Sequence, residues 1–368
     1  MHLYAFIKLR EAFKPSHHMT QLLTAWLTVM TVIPLLVRGA EQLGMKTAAL
    51  SLALPGFIWM GFLLIFTSTL IFTDLLRILN FLITRFVTNR LPMLFSKEIT
   101  GKIALGVAIV ASIYACLEAG WIKTEHVEIA SHKLPPSVPR VRIVQVSDVH
   151  IGLLLQKWRL QRILEIIRAA KPDILVSTGD LIDGKLNRDD TISERNPLAA
   201  LLAAVPSPHG KYAVVGNHEV YAGLPQALSF SRAAGFTILS NQTIQLNNGI
   251  AITGIDDRAV NPDGDVRGTE APLLNMVSQD LFRLLLKHRP EILPESDGRF
   301  NLQLSGHVHG GQIFPFNFLV KLVYPIPCGT TSTKAGSQIH VSRGTGTWGP
   351  PMRLFAPPEI TIIDIVAK

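Results

Sequence analysis

Uncharged apolar stretches fill the first third of the chain. From about residue 141 they give way to short apolar runs separated by polar loops. Residues 20–37 and 47–73 carry no charge, and a third stretch, 103–117, extends past Glu118 to Trp121 and Ile122. A hydrocarbon core of about 30 Å takes about 20 apolar residues of helix, so three membrane spans are expected, over 20–37, 48–73 and 103–122. Several such stretches, with no small-residue cleavage pattern after the first, argue against a secretory signal peptide. Residues 75–89 set Arg77 and Arg85 among leucines and phenylalanines and read as an interfacial amphipathic helix.

The rest of the chain reads as one α/β domain. Residues 124–140, with Pro135, Pro136 and Pro139, read as a linker. After it, 141–147 reads as a strand, 158–170 as an amphipathic helix, 174–178 as a strand, 198–204 as a helix and 212–215 as a third strand. Runs at 244–246, 250–253, 301–305, 339–342 and 360–365 add strands without long helices between them. A βαβ opening followed by a strand-rich half predicts two packed sheets flanked by helices. The organisation expected is a membrane region over 1–123, a linker over 124–140 and an α/β domain over 141–368.

Composition refines this picture. With 48% apolar and 17% charged residues, the chain can bury ample surface, which excludes disorder; two cysteines, Cys116 and Cys328, exclude a disulfide scaffold. The net charge of +8 sits mainly in the apolar third: residues 1–123 hold 11 Lys/Arg against 5 Asp/Glu, and residues 124–368 hold 24 against 22. The near-neutral second part argues against long nucleic acids, which need a basic track. Lys8, Arg10 and Lys14 precede the first span, and Arg38 and Lys46 separate the first two. Arg77, Arg85, Arg90, Lys97 and Lys102 lie between the second and third. Keeping the richer loops inside makes the N-terminus cytoplasmic and places everything after Trp121 outside.

Chemistry follows the strands. Apolar runs end directly on Asp148-Val149-His150, on Gly179-Asp180-Leu181-Ile182-Asp183, on Gly216-Asn217-His218-Glu219, on His288, and on Gly306-His307-Val308-His309-Gly310. Sites in open α/β sheets form where loops from the carboxyl ends of strands converge. Carboxylates, imidazoles and an amide oxygen suit Mn²⁺, Fe or Zn²⁺ better than Ca²⁺ or a thiolate-bound metal. In extended chain, residues i and i+2 share a face, so Asp148 with His150 and His307 with His309 are each expected to face one cavity. Two cations about 3.5–4 Å apart are bridged by one carboxylate, and Asp180, from the second strand end, is the natural bridge.

These motifs, in this order, resemble the calcineurin-like metallophosphoesterase superfamily over residues 141–366. Residues 284–290, 305–312 and 341–365 resemble its membrane-associated bacterial branch, which includes enzymes that cleave the diphosphate of acylated UDP-glucosamine. The resemblance implies a four-layer α/β/β/α sandwich. It implies one metal held by Asp148, His150, Asp180 and His309, and a second held by Asp180, Asn217, His288 and His307. His218 would contact the phosphate and protonate the leaving oxygen, with Asp183 supporting it. The expected cofactor is a pair of divalent ions, Mn²⁺ first and Fe or Zn²⁺ as alternatives. They would hold a hydroxide that attacks a phosphodiester or diphosphate, with no covalent phospho-enzyme.

Other residues read more plainly. His2, His17, His18, His126, His132, His209 and His340 match no motif and read as ordinary surface or core histidines. Asp256-Asp257 reads as a turn or supporting pair rather than a ligand, Glu219 as a support for its neighbours, and Cys328 as a small packing residue. Two apolar loops adjoin the ligands, Ile151 to Leu155 with Trp158, and 314–324. They read either as core or as a lipid-facing lip beside the metals, and the second reading makes the substrate a lipid phosphoester. The alternatives are a phosphatase or nuclease for soluble substrates and, further off, a metal-binding membrane receptor. The diacylglucosamine hydrolases act on a cytoplasmic intermediate, whereas the charge count places this domain outside, so the lipid is left open.

Overall fold

The computed structural model describes residues 1–86, 96–155, 157–184, 196–262 and 266–368. They fall into two compact units, one of residues 1–118, 313–315 and 349–355 and one of the remainder.

The first unit is built on helices α1 (His2–Phe13), α2 (His17–Gln42), α3 (Lys46–Phe86) and α4 (Lys97–Glu118). Ser16 starts α2 by accepting the Met19 backbone N–H at 3.3 Å. Small residues bring the helices close: Gly56 lies against Ile33, Gly101 against Ala12, and Ala104, Ala108 and Ala115 are fully buried. Leu22, Val29 and Leu36 of α2, Ile71 and Phe72 of α3, and Val107, Val110 and Ile113 of α4 remain exposed. Such a continuous apolar exterior suits lipid rather than water, and α2, α3 and α4 are long and apolar enough to cross a membrane. Ile313, Met352 and Leu354 complete this unit's apolar cluster with Leu63, Ile65 and Phe66.

Two details differ from the sequence expectation. α3 runs unbroken for 41 residues, about 60 Å at the α-helical rise. The segment expected as a separate interfacial helix is therefore the C-terminal part of α3 up to Phe86, where no Gly or Pro interrupts it; residues 87–89 lie outside the described residues. The third apolar helix stops at Glu118, because the chain turns at Ala119 and Gly120 and begins a strand at Lys123.

The second unit holds two six-stranded sheets. The first has the order β1 (Lys123–Ser131), β12 (Glu359–Ala367), β2 (Arg140–Val146), β3 (Ile174–Ser177), β4 (Lys211–Ala213), β5 (Thr237–Ile238). β2 to β5 are parallel, and β12 runs antiparallel to β2. The second has the order β10 (Gly329–Ser332), β11 (Gln338–Val341), β9 (Leu302–Ser305), β8 (Phe282–Lys287), β7 (Ile250–Ile255), β6 (Gln242–Gln245). β7, β8, β9 and β11 are parallel, with antiparallel edges. The stretch 124–140, expected as a linker, thus carries β1, whose alternating exposure reflects pairing along β12.

Strand alternation builds the layers. Val144 and Val146 of β2 face outward onto Leu160, Ile163 and Ile167 of α5 (Lys157–Ala170), in a cluster shared with α6 (Pro197–Ala203) and α7 (Asn217–Ala233). Val141 and Ile143 face inward onto Leu284, Leu286, Leu302 and Leu304 of the other sheet. On the far side, Leu274 of α8 (Val266–Asn275) packs with Leu285 and Phe300, and Val320 of α9 (Phe316–Val323) packs with Ile339 and Val341. This is the four-layer α/β/β/α arrangement. Parallel β2, β3 and β4 of one sheet and β8 and β9 of the other deliver their carboxyl ends to one region.

Candidate metal centre

All nine expected site residues come from loops that follow these strand ends. Asp148 and His150 follow β2, Asp180 and Asp183 follow β3, and Asn217 and His218 open α7 after β4. His288 follows β8, and His307 and His309 follow β9. Seven of them meet in three overlapping groups of metal-ligand type: Asp148, His150 and His309; His150, Asp180 and His218; and Asp180, His288 and His307. Asp180 belongs to two of the three. Asp183 and Asn217 join through hydrogen-bond contacts with His218 and His288.

The side chains do not converge by strand alternation. Asp148 (φ 51°), His150 (φ 54°), Asp180 (φ 52°), His307 (φ 71°) and His309 (φ 51°) all sit in the left-handed region. That region is costly for residues with a Cβ and persists where surrounding structure enforces it. The expectation that i and i+2 share an extended face is corrected on this point: β2 ends at Val146 and β9 at Ser305, and tight left-handed turns aim the ligands. Close packing requires glycine at two neighbouring positions. A Cβ at Gly306 would collide with Ser147 and Asp148, and one at Gly216 with Asp180.

Hydrogen bonds hold each group in place. Asp148 accepts the Ser147 hydroxyl at 2.5 Å and the His307 backbone N–H at 3.0 and 3.1 Å. Asp180 Oδ1 accepts the His218 backbone N–H at 2.8 Å, while Oδ2 lies 3.2 Å from His288 Nε2. His288 Nδ1 lies 2.8 Å from the Thr178 carbonyl and donates to it, so Nε2 is the ring nitrogen turned to the site, facing Asn217 Oδ1 and His307 Nδ1, each at 3.2 Å. On the other side, His150 Nε2 and His309 Nε2 face each other at 3.1 Å, and His309 Nε2 lies 3.4 Å from Asp148 Oδ1. Two imidazole lone-pair positions aimed at one point repel unless a proton or cation lies between them. Buried carboxylates beside such pairs make the donor set fit divalent cations. Glu219 is not among the metal-ligand groups. Its buried carboxylate accepts four backbone N–H groups, from Gly216 (2.8 Å), Asp180 (2.9 Å), Leu181 (2.6 Å) and Ile182 (3.2 Å).

The buried charges act on one another. Burial, then the charge of Asp180, pushes Glu219 up to about 7. Burial also raises Asp148. Burial works against a charged His288, but Asp180 outweighs it and pushes the imidazole up to about 10. Burial, followed by His288 and Arg289, drives His307 down to about 2. His218 is raised because the Asp183 hydrogen bond (2.9 Å) and the charge of Asp180 overcome burial. Asp183 in turn is lowered, burial being outweighed by His218 and His150.

Of the two apolar loops, the first is core at Ile151 and Leu155, with Trp158 exposed, whereas the second forms α9, whose Phe316, Phe318, Leu319, Leu322 and Val323 are all exposed. The sequence reading missed Arg289, which follows His288 directly. Its Nη1 lies 2.9 Å from His307 Nε2, and its Nε donates to Asp257 Oδ2 at 2.7 Å. Asp257 is indeed a supporting residue. The available signal was an arginine adjoining a ligand histidine.

Residues 141–311 match the family described as calcineurin-like phosphoesterase. An uncharacterized metallophosphoesterase of Aquifex aeolicus is 37% identical over 71% of this chain and 98% of its own length. One from Bacillus subtilis is 35% identical over 74% of this chain and 96% of its own. A Danio rerio protein named as a transmembrane protein with metallophosphoesterase domain is 31% identical over 72% of this chain and 62% of its own. The chain belongs to the calcineurin-like metallophosphoesterase family.

Proposed function

We propose that this metallophosphoesterase is a multi-pass membrane hydrolase that cleaves a phosphodiester or diphosphate bond with two divalent cations, Mn²⁺ foremost. The carrying observation is the position of Asp180, shared between one cluster containing His150 and another containing His288 and His307. One cation would be held by Asp148, His150, Asp180 and His309, the other by Asp180, Asn217, His288 and His307. When bound, such a pair lowers the pKa of a water and neutralises phosphate charge.

The chain's own residues supply the remaining chemistry. His218, its pKa raised by the Asp183 hydrogen bond, keeps its proton to higher pH than a free imidazole and sits at the start of α7, where it would contact the phosphate and protonate the leaving oxygen. Asp183 holds the ring through Nδ1. The lysine and arginine distribution supports a domain on the outer side of the membrane.

A lipid phosphoester is the substrate reading favoured by α9, where Phe318 is 59% and Leu322 82% exposed. An apolar helix surface in a chain with apolar helices of membrane-spanning length suits acyl chains better than water. The direct test is hydrolysis of bis-p-nitrophenyl phosphate by full-length protein loaded with Mn²⁺, beside Asp180→Asn. The expected result is turnover that falls by about 10³-fold or more in the variant, since one change disturbs both cations. Equal turnover by the two proteins would refute the reading.

A further inference from the structure

Arg289 is held unlike an ordinary surface arginine. Its Nε and Nη2 meet the two oxygens of Asp257 at 2.7 and 3.3 Å, and the Asp257 side chain is 1% exposed. This fork fixes one edge of the guanidinium and leaves Nη1 as the outward donor. Nη1 lies 2.9 Å from His307 Nε2 and 3.2 Å from the Tyr324 hydroxyl. Strand pairing builds the arrangement: β7 and β8 are parallel with Ile255 opposite Lys287, so two residues further on Asp257 and Arg289 emerge side by side.

A guanidinium only donates, so in this contact His307 Nε2 must accept. His307 Nδ1 is the atom facing His288, at 3.2 Å. Once Nδ1 gives its lone pair to a cation, the neutral ring carries its proton on Nε2 and can no longer accept from Arg289. Asp257 still holds the guanidinium in place and Tyr324 still accepts from one Nη1 N–H, while the N–H aimed at His307 then lacks its acceptor. A phosphate oxygen beside the metals supplies one, in the charge-assisted geometry for which arginine is suited.

We propose that Arg289, forked on Asp257 and steadied by Tyr324, is a substrate-binding residue that grips a non-bridging oxygen of the phosphoester. This rests on the phosphoesterase reading above. It adds a specific anion contact from outside the ligand motifs, one that becomes available when the metal site is loaded.

The test uses full-length protein in detergent, loaded with Mn²⁺, as wild type, Arg289→Gln and Arg289→Lys. For each, kcat and KM on bis-p-nitrophenyl phosphate, the inhibition constant of inorganic phosphate, metal content and melting temperature are measured. Arg289→Gln should raise KM and the phosphate inhibition constant together by about 10- to 100-fold, the range for a lost hydrogen bond to a charged group. Two metals per chain should be retained. Arg289→Lys should recover part of the loss, because it keeps the charge without the fork. Phosphate inhibition within twofold of wild type at full metal content would overturn the proposal. So would a loss traced entirely to metal content or melting temperature. If wild type hydrolyses no phosphoester, the phosphoesterase reading fails, and calorimetric binding of inorganic phosphate to the loaded proteins still decides Arg289.

Discussion

Glu219 accepts the backbone N–H of Asp180 at 2.9 Å, so the residue central to the candidate metal site is positioned by a carboxylate outside the metal-ligand groups. The same carboxylate takes the N–H of Gly216, next to Asn217. It therefore ties the loop after β3 to the start of α7, and its burial and the nearby charge of Asp180 leave it with a pKa near 7.

Replacing Glu219 with Gln keeps the shape but turns one acceptor oxygen into a donor facing backbone N–H groups. The expected outcome is metal affinity and kcat each lower by about 10- to 100-fold, the usual cost of losing a group that orients ligands. Metal titration and steady-state kinetics on the purified protein check this; wild-type affinity in the variant would remove Glu219 from the account.

His218 bears on the leaving group. Its raised pKa means that the protonated form survives to higher pH than in a free imidazole and is lost as pH rises through that value, so activity should decline on the alkaline side. Asp183→Asn removes the main partner holding the proton and should move that alkaline limb to lower pH. His218→Asn should cost about 10²- to 10⁴-fold in kcat on an alkyl phosphoester and much less on a nitrophenyl ester, whose leaving group needs no proton. Equal losses on both substrates would contradict the acid role.

The exposed face of α9 separates the lipid reading from soluble substrates. Changing Phe316, Phe318 and Leu319 to serine should reduce turnover of an acylated phosphoester in mixed micelles by about tenfold or more, a loss in keeping with withdrawing apolar side chains from acyl contact. Turnover of a small aryl phosphodiester should stay near wild type. Parallel loss on both would defeat the lipid reading.

A structural prediction concerns β2 and β12. Arg142 meets Asp364 through two hydrogen bonds of 2.8 and 2.7 Å, with both side chains partly shielded. The Arg142 hydrogen bond lowers the Asp364 pKa, against a smaller opposing effect of burial. A lowered carboxylate stabilises the fold above its unfolded pKa, and the contribution disappears as pH falls through the folded value. Asp364→Asn should cost about 1 kcal/mol at neutral pH and almost nothing once the carboxylate is protonated. Melting temperatures of the two proteins at both pH values test this.

The candidate motifs were legible because each follows on a buried apolar strand, so local pattern pointed to Asp148, Asp180, Asn217, His288 and His307 as residues of metal-ligand type. What escaped depends on distant pairing. β1 has the alternating Val127 and Ile129 of a strand, but its charges read as linker until β12, more than two hundred residues later, lies beside it. The Asp257–Arg289 fork is visible only once the β7–β8 register is known. Ile313 and Met352 follow the candidate-site loop 306–310 in sequence yet pack with the apolar helices, which no local periodicity encodes. The left-handed turns at the ligands were equally hidden, because aspartate and histidine adopt them under the constraint of the surrounding fold.

The central claim is a pair of cations bridged by Asp180. The most direct measurement is anomalous X-ray scattering from crystals of the Mn²⁺-loaded full-length protein. Two peaks about 3.5–4 Å apart, one between His150 and His309 and the other between His288 and His307, with the Asp180 carboxylate between them, are the predicted result. A single peak, or none among these side chains at saturating metal, would contradict it.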